Sequence, residues 1–296
     1  MNLLDDGPQR FGEALGATLW GGTLYELAPG EETRYHWQFG EEEFVIVIGG
    51  RPTLRTPEGE HALEPWDVAW FVRGEPGAHQ VRNDADASAR VVFFSTCSDP
   101  EVVVYPDEGV VGFVADWSRP DRARMSAKAA YEGRAEPRLP QQQAAASFNL
   151  LSGDLDTLEE RPGYRCRGAG VGRMLGAELL GATLYETPPG EKLWPYHWEA
   201  GCEEFLVAVS GRPTLRTPAG ERELAPGDVV HFPEGEPGTH QLRNDTSEPF
   251  RVLIASTKAP LNVCGYPDSN KLLIDRPGRR RMLRDGPDLD YWDGES

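Results

Sequence analysis

Residues 36–50 read HWQFGEEEFVIVIGG, and residues 197–211 read HWEAGCEEFLVAVSG. The two stretches lie 161 residues apart, and the match runs without a gap to Asp84 and Asp245, with 30 of 49 positions identical. The fold is therefore duplicated. His36 and Glu43 answer to His197 and Glu204, and His79 answers to His240. Four of the chain's six histidines thus stand at equivalent points beside a paired glutamate. Core packing alone hardly explains that coincidence; the arrangement looks like a metal site made twice.

The same duplication organises the rest of the chain. Short apolar stretches at 23–27, 43–48, 52–55, 67–71, 79–82 and 90–95 recur at 183–187, 204–209, 213–216, 228–232, 240–243 and 251–256. Pro, Gly and Asp punctuate them at equivalent places, as in Pro29-Gly30 with Pro189-Gly190. Many short strands at such spacing predict an all-β antiparallel sandwich or barrel in each half. Each half closes on a matching tail, 104–107 (VYPD) and 265–268 (GYPD), expected to lead into short helical segments. Residues 133–146 are rich in Pro, Gln and Ala and read as a linker. Phe148-Asn149-Leu150-Leu151 resembles Met1-Asn2-Leu3-Leu4, so the expected domains are 1–140 and 141–296.

Bulk properties narrow the function classes. At 296 residues each half is long enough to bury its own core. The net charge of −18 argues against nucleic acid or an anionic membrane as partner. Arg279, Arg280 and Arg281 form a small basic run that reads as a solvated turn. No apolar stretch approaches the ~18 residues of a membrane span, and residues 1–7 lack a signal-peptide pattern, so a soluble cytoplasmic protein is expected. Cys97, Cys166, Cys202 and Cys264 are scattered and are not carried through both copies; they read as buried thiols, Cys202 falling close to the second candidate site.

In the second copy the order is Gly190, His197-Trp198-Glu199, Glu204 and Gly211, then Gly227, Pro233, Gly235, His240 and Asn244. This resembles the two motifs of the cupin superfamily, G-x5-H-x-H-x3,4-E-x6-G and G-x5-P-x-G-x2-H-x3-N. Gly190 stands one residue further from the first histidine, and two extra residues precede His240. The resemblance covers most of both halves and implies a bicupin: two jelly-roll (double-stranded β-helix) barrels in tandem, an intramolecular pseudo-dimer that could also form a homodimer. It carries over His36, Glu43 and His79, and His197, Glu204 and His240, as metal ligands. Where cupins have the second histidine of H-x-H, this chain has Gln38 and Glu199. The cupin-type phosphomannose isomerases are similar in using a glutamine beside histidines and a glutamate.

Strand geometry supports the same set independently. Side chains two apart share a face, so residues 197 and 199 look into the barrel together, and Glu204 and His240 arrive from neighbouring strands. Trp37 and Trp198, lying between, face away and read as packing residues. Imidazole and carboxylate donors suit a divalent Fe, Mn, Ni or Zn ion without choosing among them. Glu199 and Glu204 would converge, and without a cation their repulsion should raise one carboxyl. Two imidazoles and two carboxylates neutralise M²⁺, whereas the first copy leaves one positive charge. The first copy also replaces Gly227 and Pro233 by Trp66 and Val72, which makes the second barrel the better metal candidate. The resemblance implies dioxygenase, isomerase or decarboxylase chemistry on a small molecule, with Glu199 either a fourth ligand or a general base. The alternative is a non-catalytic protein binding a small ligand or metal, with one or both barrels degenerate. His231 reads as a packed or rim residue, and Asn83 and Asn244 read as turn-fixing amides.

Overall fold

The computed structural model describes residues 1–98, 100–114, 125–127 and 147–295. The expected linker and the domain boundary near residue 140 lie outside the described residues. Each half is an antiparallel barrel. In the first, a six-stranded sheet runs in the order Gln9–Arg10, Trp20–Leu27, Ala89–Thr96, Glu43–Gly49, Asp67–Phe71, Phe148–Asn149. It is closed by a three-stranded sheet centred on Thr53–Thr56 and a four-stranded sheet that includes Trp37–Gln38 and Glu101–Tyr105. The second half repeats this, with Leu180–Thr187, Phe250–Thr257, Glu204–Ser210 and Val229–Phe232 in its large sheet. No helix among the described residues is long and apolar enough to cross a membrane.

Strand alternation explains why the run Phe44–Ile48 is apolar throughout. Val45 and Val47 point into the first barrel beside Leu54, Phe71, Val81 and Phe93. Phe44, Ile46 and Ile48 point the other way, into a core shared with Phe205, Val207 and Val209 of the second barrel. The two large sheets therefore pack back to back, and each central strand is buried on both faces. The same alternation directs Glu43 inward with Val45 and sends its neighbour Glu42 to the interface. Glu42 there accepts hydrogen bonds from the amides of Glu178, Leu179 and Leu180 at 2.6, 2.7 and 2.8 Å. Glu203 reciprocates, accepting from Thr18 N, Thr18 Oγ1 and Leu19 N at 3.1, 2.6 and 3.0 Å.

The segments whose likeness marked the sequence boundary are exchanged between barrels. Residues 1–3 pair with the edge of the second barrel, through Leu3 N to Gly227 O and Val229 N to Met1 O, while Phe148–Asn149 pairs with Asp67–Phe71 of the first. Asn2 and Asn149 make matching bonds, to Asp228 Oδ1 and Asp67 Oδ1, both at 2.9 Å.

Each tail opens with a short helical turn. Among the described residues these are the 3-10 turns Pro106–Glu108 and Pro267–Ser269, each followed by strand. Proline starts each turn, but Gly109 and Asn270 then adopt left-handed backbone (φ 61° and 48°), which ends it after one turn. The chain returns as Val110–Val114 and as the hairpin Lys271–Arg276 with Arg279–Arg284.

Candidate metal centres

In each barrel the two histidines form a cross-strand pair. His36 and His79 exchange backbone hydrogen bonds of 3.1 and 2.9 Å, and His197 and His240 exchange bonds of 3.1 and 2.8 Å. All four rings are oriented alike. Their Nδ1 atoms lie 2.9 Å from the carbonyls of Arg34, Gly77, Pro195 and Gly238. A carbonyl only accepts, so each Nδ1 carries the proton and each Nε2 presents a lone pair to the barrel interior. Phe71 and Phe232 stack on His79 and His240 at 3.6 and 3.7 Å and fix the ring planes. Glu43 Oε2 lies 3.4 Å from both His36 Nε2 and His79 Nε2, and Glu204 Oε2 lies 3.4 Å from His240 Nε2.

The donor atoms of each trio, His36, Glu43 and His79 or His197, Glu204 and His240, fall within 4.8 Å of one another. Two neutral imidazoles and a carboxylate converging at that spacing fit a divalent transition ion. Glu43 Oε2 and His79 Nε2 support the fit directly: both are buried without a hydrogen-bond partner. Orphaned buried donors and acceptors are costly, and a cation between them would satisfy both.

The two centres differ in charge. Burial opposes ionisation of Glu43, but the imidazoles of His36 and His79 beside it outweigh that and hold the carboxyl at about 2. Burial likewise opposes a charge on His36, and Glu43 overcomes it to raise the imidazole. In the second barrel burial and then the charge of Glu199 push Glu204 well up. Burial depresses His197, and burial together with His197 depresses His240 to about 3. The expected conflict between Glu199 and Glu204 is present, resolved by raising Glu204.

Gln38 and Glu199 stand outside the trios. Gln38 Nε2 donates to Glu41 Oε2 at 3.0 Å. Glu199 is held by Cys202 Sγ at 2.6 Å, Asn262 Nδ2 at 3.0 Å and Cys264 Sγ at 3.4 Å, with Oε1 4.0 Å from His197 Nε2. Burial and Glu199 raise both thiols, keeping them as protonated donors. Trp37 and Trp198 face away as strand alternation requires; Trp198 packs on Gly265, where a Cβ would sit 2.1 Å from the indole. His231 serves the interface between barrels, its Nδ1 donating to Leu15 O at 3.0 Å and its Nε2 3.5 Å from Glu203. Asn244 Nδ2 ties Thr187 O to Glu248 O, the turn-fixing role expected.

Sequence reasoning missed Cys264, Asn262 and Tyr266, whose ring lies 5.9 Å from His197. The repeated Tyr-Pro-Asp tail was their available signal. Its aspartates anchor it on the barrel, through Asp107 to Arg55 and Asp268 to Arg216, both 2.6 Å.

The cupin-domain family model matches residues 23–95 and 183–256, so both motif sets lie on barrels of the same family. The chain is a bicupin. Among solved structures, oxalate decarboxylase from Lactobacillus farciminis is 18% identical, with a TM-score of 0.52 over 88% of this chain and 86% of that one. The Bacillus subtilis oxalate decarboxylase is 16% identical, with a TM-score of 0.51 over 88% and 75%. A cupin-superfamily sugar phosphate isomerase from Silicibacter pomeroyi is 26% identical, covering 49% of this bicupin and 96% of its own chain, with a TM-score of 0.43. No curated protein matches the sequence. At these identities the likeness to the oxalate decarboxylases is one of fold.

Proposed function

We propose that this bicupin is a metal-dependent enzyme acting on a small molecule, with its working centre in the second barrel. The observation that carries the reading is the pair of preformed trios, Nε2 lone pairs facing a buried carboxylate, with orphaned polar atoms in the first copy. A divalent Fe, Mn, Ni or Zn ion held by His197, Glu204 and His240 would act as a Lewis acid on a substrate oxygen. Glu199 sits beside that trio with both oxygens anchored by Cys202, Asn262 and Cys264. A carboxylate fixed in that way, yet 4.0 Å from His197 Nε2, suits proton transfer to and from substrate. This favours isomerase or decarboxylase chemistry over dioxygenation. In the first barrel an amide takes the place of Glu199 and is turned to Glu41, which favours a binding role for His36, Glu43 and His79 without catalysis.

Elemental analysis of the purified protein tests the reading. Stoichiometric transition metal is expected, with His197→Ala and His36→Ala each removing the metal of its own barrel. Wild-type protein without stoichiometric metal, after reconstitution with each of the four ions, would end it.

A further inference from the structure

The basic run read as a solvated turn belongs to a hairpin that extends the second centre. Residues 271–284 contain six of the chain's 30 lysines and arginines and a single acid, Asp275, in a protein of net charge −18. The strands Lys271–Arg276 and Arg279–Arg284 continue the sheet of Trp198–Ala200 and Asn262–Tyr266.

Register decides which of these charges face the site. Directly opposed residues of antiparallel strands share a face. Tyr266 opposes Lys271, which opposes Arg284; Asn262 opposes Asp275, which opposes Arg280; Glu199 opposes Cys264, then Leu273 and Met282. Lys271, Arg280 and Arg284 therefore lie on the face that bears Glu199 and Tyr266. Arg279 and Arg281 lie on the other, Arg281 opposing Ile274.

Side-chain contacts agree. Lys271 Nζ stands 5.4 Å over the Tyr266 ring, itself 5.9 Å from His197. Arg280 Nε is 3.8 Å from Asp275, and the nearby Asp268 is taken by Arg216. Lys271 and Arg284 have no salt-bridge partner among the described residues. In the first barrel, among the described residues, Tyr105, Val103 and Glu101 oppose Val110, Gly112 and Val114, so a valine stands there at the position of Lys271.

We propose that the second centre takes a small anionic substrate bearing a carboxylate or phosphate group. Lys271, Arg280 and Arg284 hold that group at the rim, while the reacting end faces His197, Glu199, Glu204 and His240. The inference rests on the metal-enzyme reading and names its substrate class. Guanidinium forks match both anions, and a local cationic rim draws an anion through the field of an otherwise acidic protein.

Calorimetric titration of the full-length protein with inorganic phosphate and, separately, malonate distinguishes the two sources of anionic charge. The variants are K271Q/R284Q on the site face and R279Q/R281Q on the opposite face, with unchanged thermal melts as the folding control. Wild type should bind at least one probe, and K271Q/R284Q should weaken it at least 10-fold while R279Q/R281Q leaves it unaltered. Failure of both probes to bind, or equal loss in the two variants, overturns the proposal. Metal content measured on the same samples separates the two readings. Stoichiometric metal with no anion dependence on Lys271 and Arg284 defeats the substrate class alone, whereas selective anion binding by protein that takes up no metal on reconstitution with any of the four ions defeats the metal reading and leaves the cationic rim standing.

Discussion

At the scale of residues, the centres depend on two glycines that hold no catalytic group. Gly77 and Gly238 follow the Glu-Pro turn of each copy, and their carbonyls fix the Nδ1–H of His79 and His240. A Cβ at these positions would lie 1.8 Å from Val72 O and 1.9 Å from Pro233 O, so the turn closes only around glycine. Gly238→Ala should therefore open the turn, cost about 3 kcal/mol by forced displacement of packed backbone, and lower metal content in the second barrel alone. Thermal melts with elemental analysis check both, and an unchanged melt with full metal would show that the turn absorbs the methyl. The histidines and glutamates were legible in the sequence because metal chemistry restricts residue type and strands restrict spacing. The anchoring of Glu199 by Asn262 and Cys264 was not, since an amide and a thiol reaching a carboxylate across strands, 63 and 65 residues on, leave no periodic trace.

Among the elements, the two terminal arms set the connection between the barrels. Leu3 is fully buried, and residues 1–3 complete the edge of the second barrel, although the chain enters the first barrel immediately afterwards. Arg90 of the first barrel bonds Asp6 O, and Arg251 of the second bonds Leu151 O, so each arm is gripped by the barrel it does not pair with. Leu3→Ala should cost about 2–5 kcal/mol, the range for truncating a buried leucine. Its effect should appear far along the chain: hydrogen exchange should accelerate at Val229, whose amide bonds Met1 O, and not at Val68. Equal acceleration at both positions would mean that the arm does not belong to the second barrel. The likeness of residues 1–4 and 148–151 was visible in the sequence, yet partner choice was not. In a duplicated chain each arm matches the edge strand of either barrel, and only the path of the intervening chain decides between them. Trp66 shows the same limit. It keeps the left-handed backbone of its counterpart Gly227 (φ 69° and 87°), and its buried ring in the shared core offsets that strain.

For the whole molecule, the shared core makes the bicupin one cooperative unit. Trp20 packs edge-on against Phe44 and Phe94 of its own barrel and against Phe205 of the other, at 6.2, 6.4 and 5.4 Å, and its Nε1 donates to Glu203 O at 3.3 Å. Around this apolar contact, Glu42 and Glu203 each bind amides of the opposite barrel, two buried carboxylates in pseudo-twofold relation. The carboxylates are buried with their hydrogen bonds made, so their removal strands several amides at once, and unsatisfied buried donors dominate the cost. Glu42→Ala leaves Glu178, Leu179 and Leu180 N–H without an acceptor, an expected loss of about 3–5 kcal/mol by analogy with breaking a buried charged contact. Differential scanning calorimetry should show a single transition for the wild type, because neither barrel can expose its half of the core alone. Glu42→Ala should lower that transition or split it, and Glu203→Ala should do the same from the other side. Two resolved transitions in the wild type would contradict the shared core, and an unshifted transition in both variants would show that the apolar contact alone holds the barrels together.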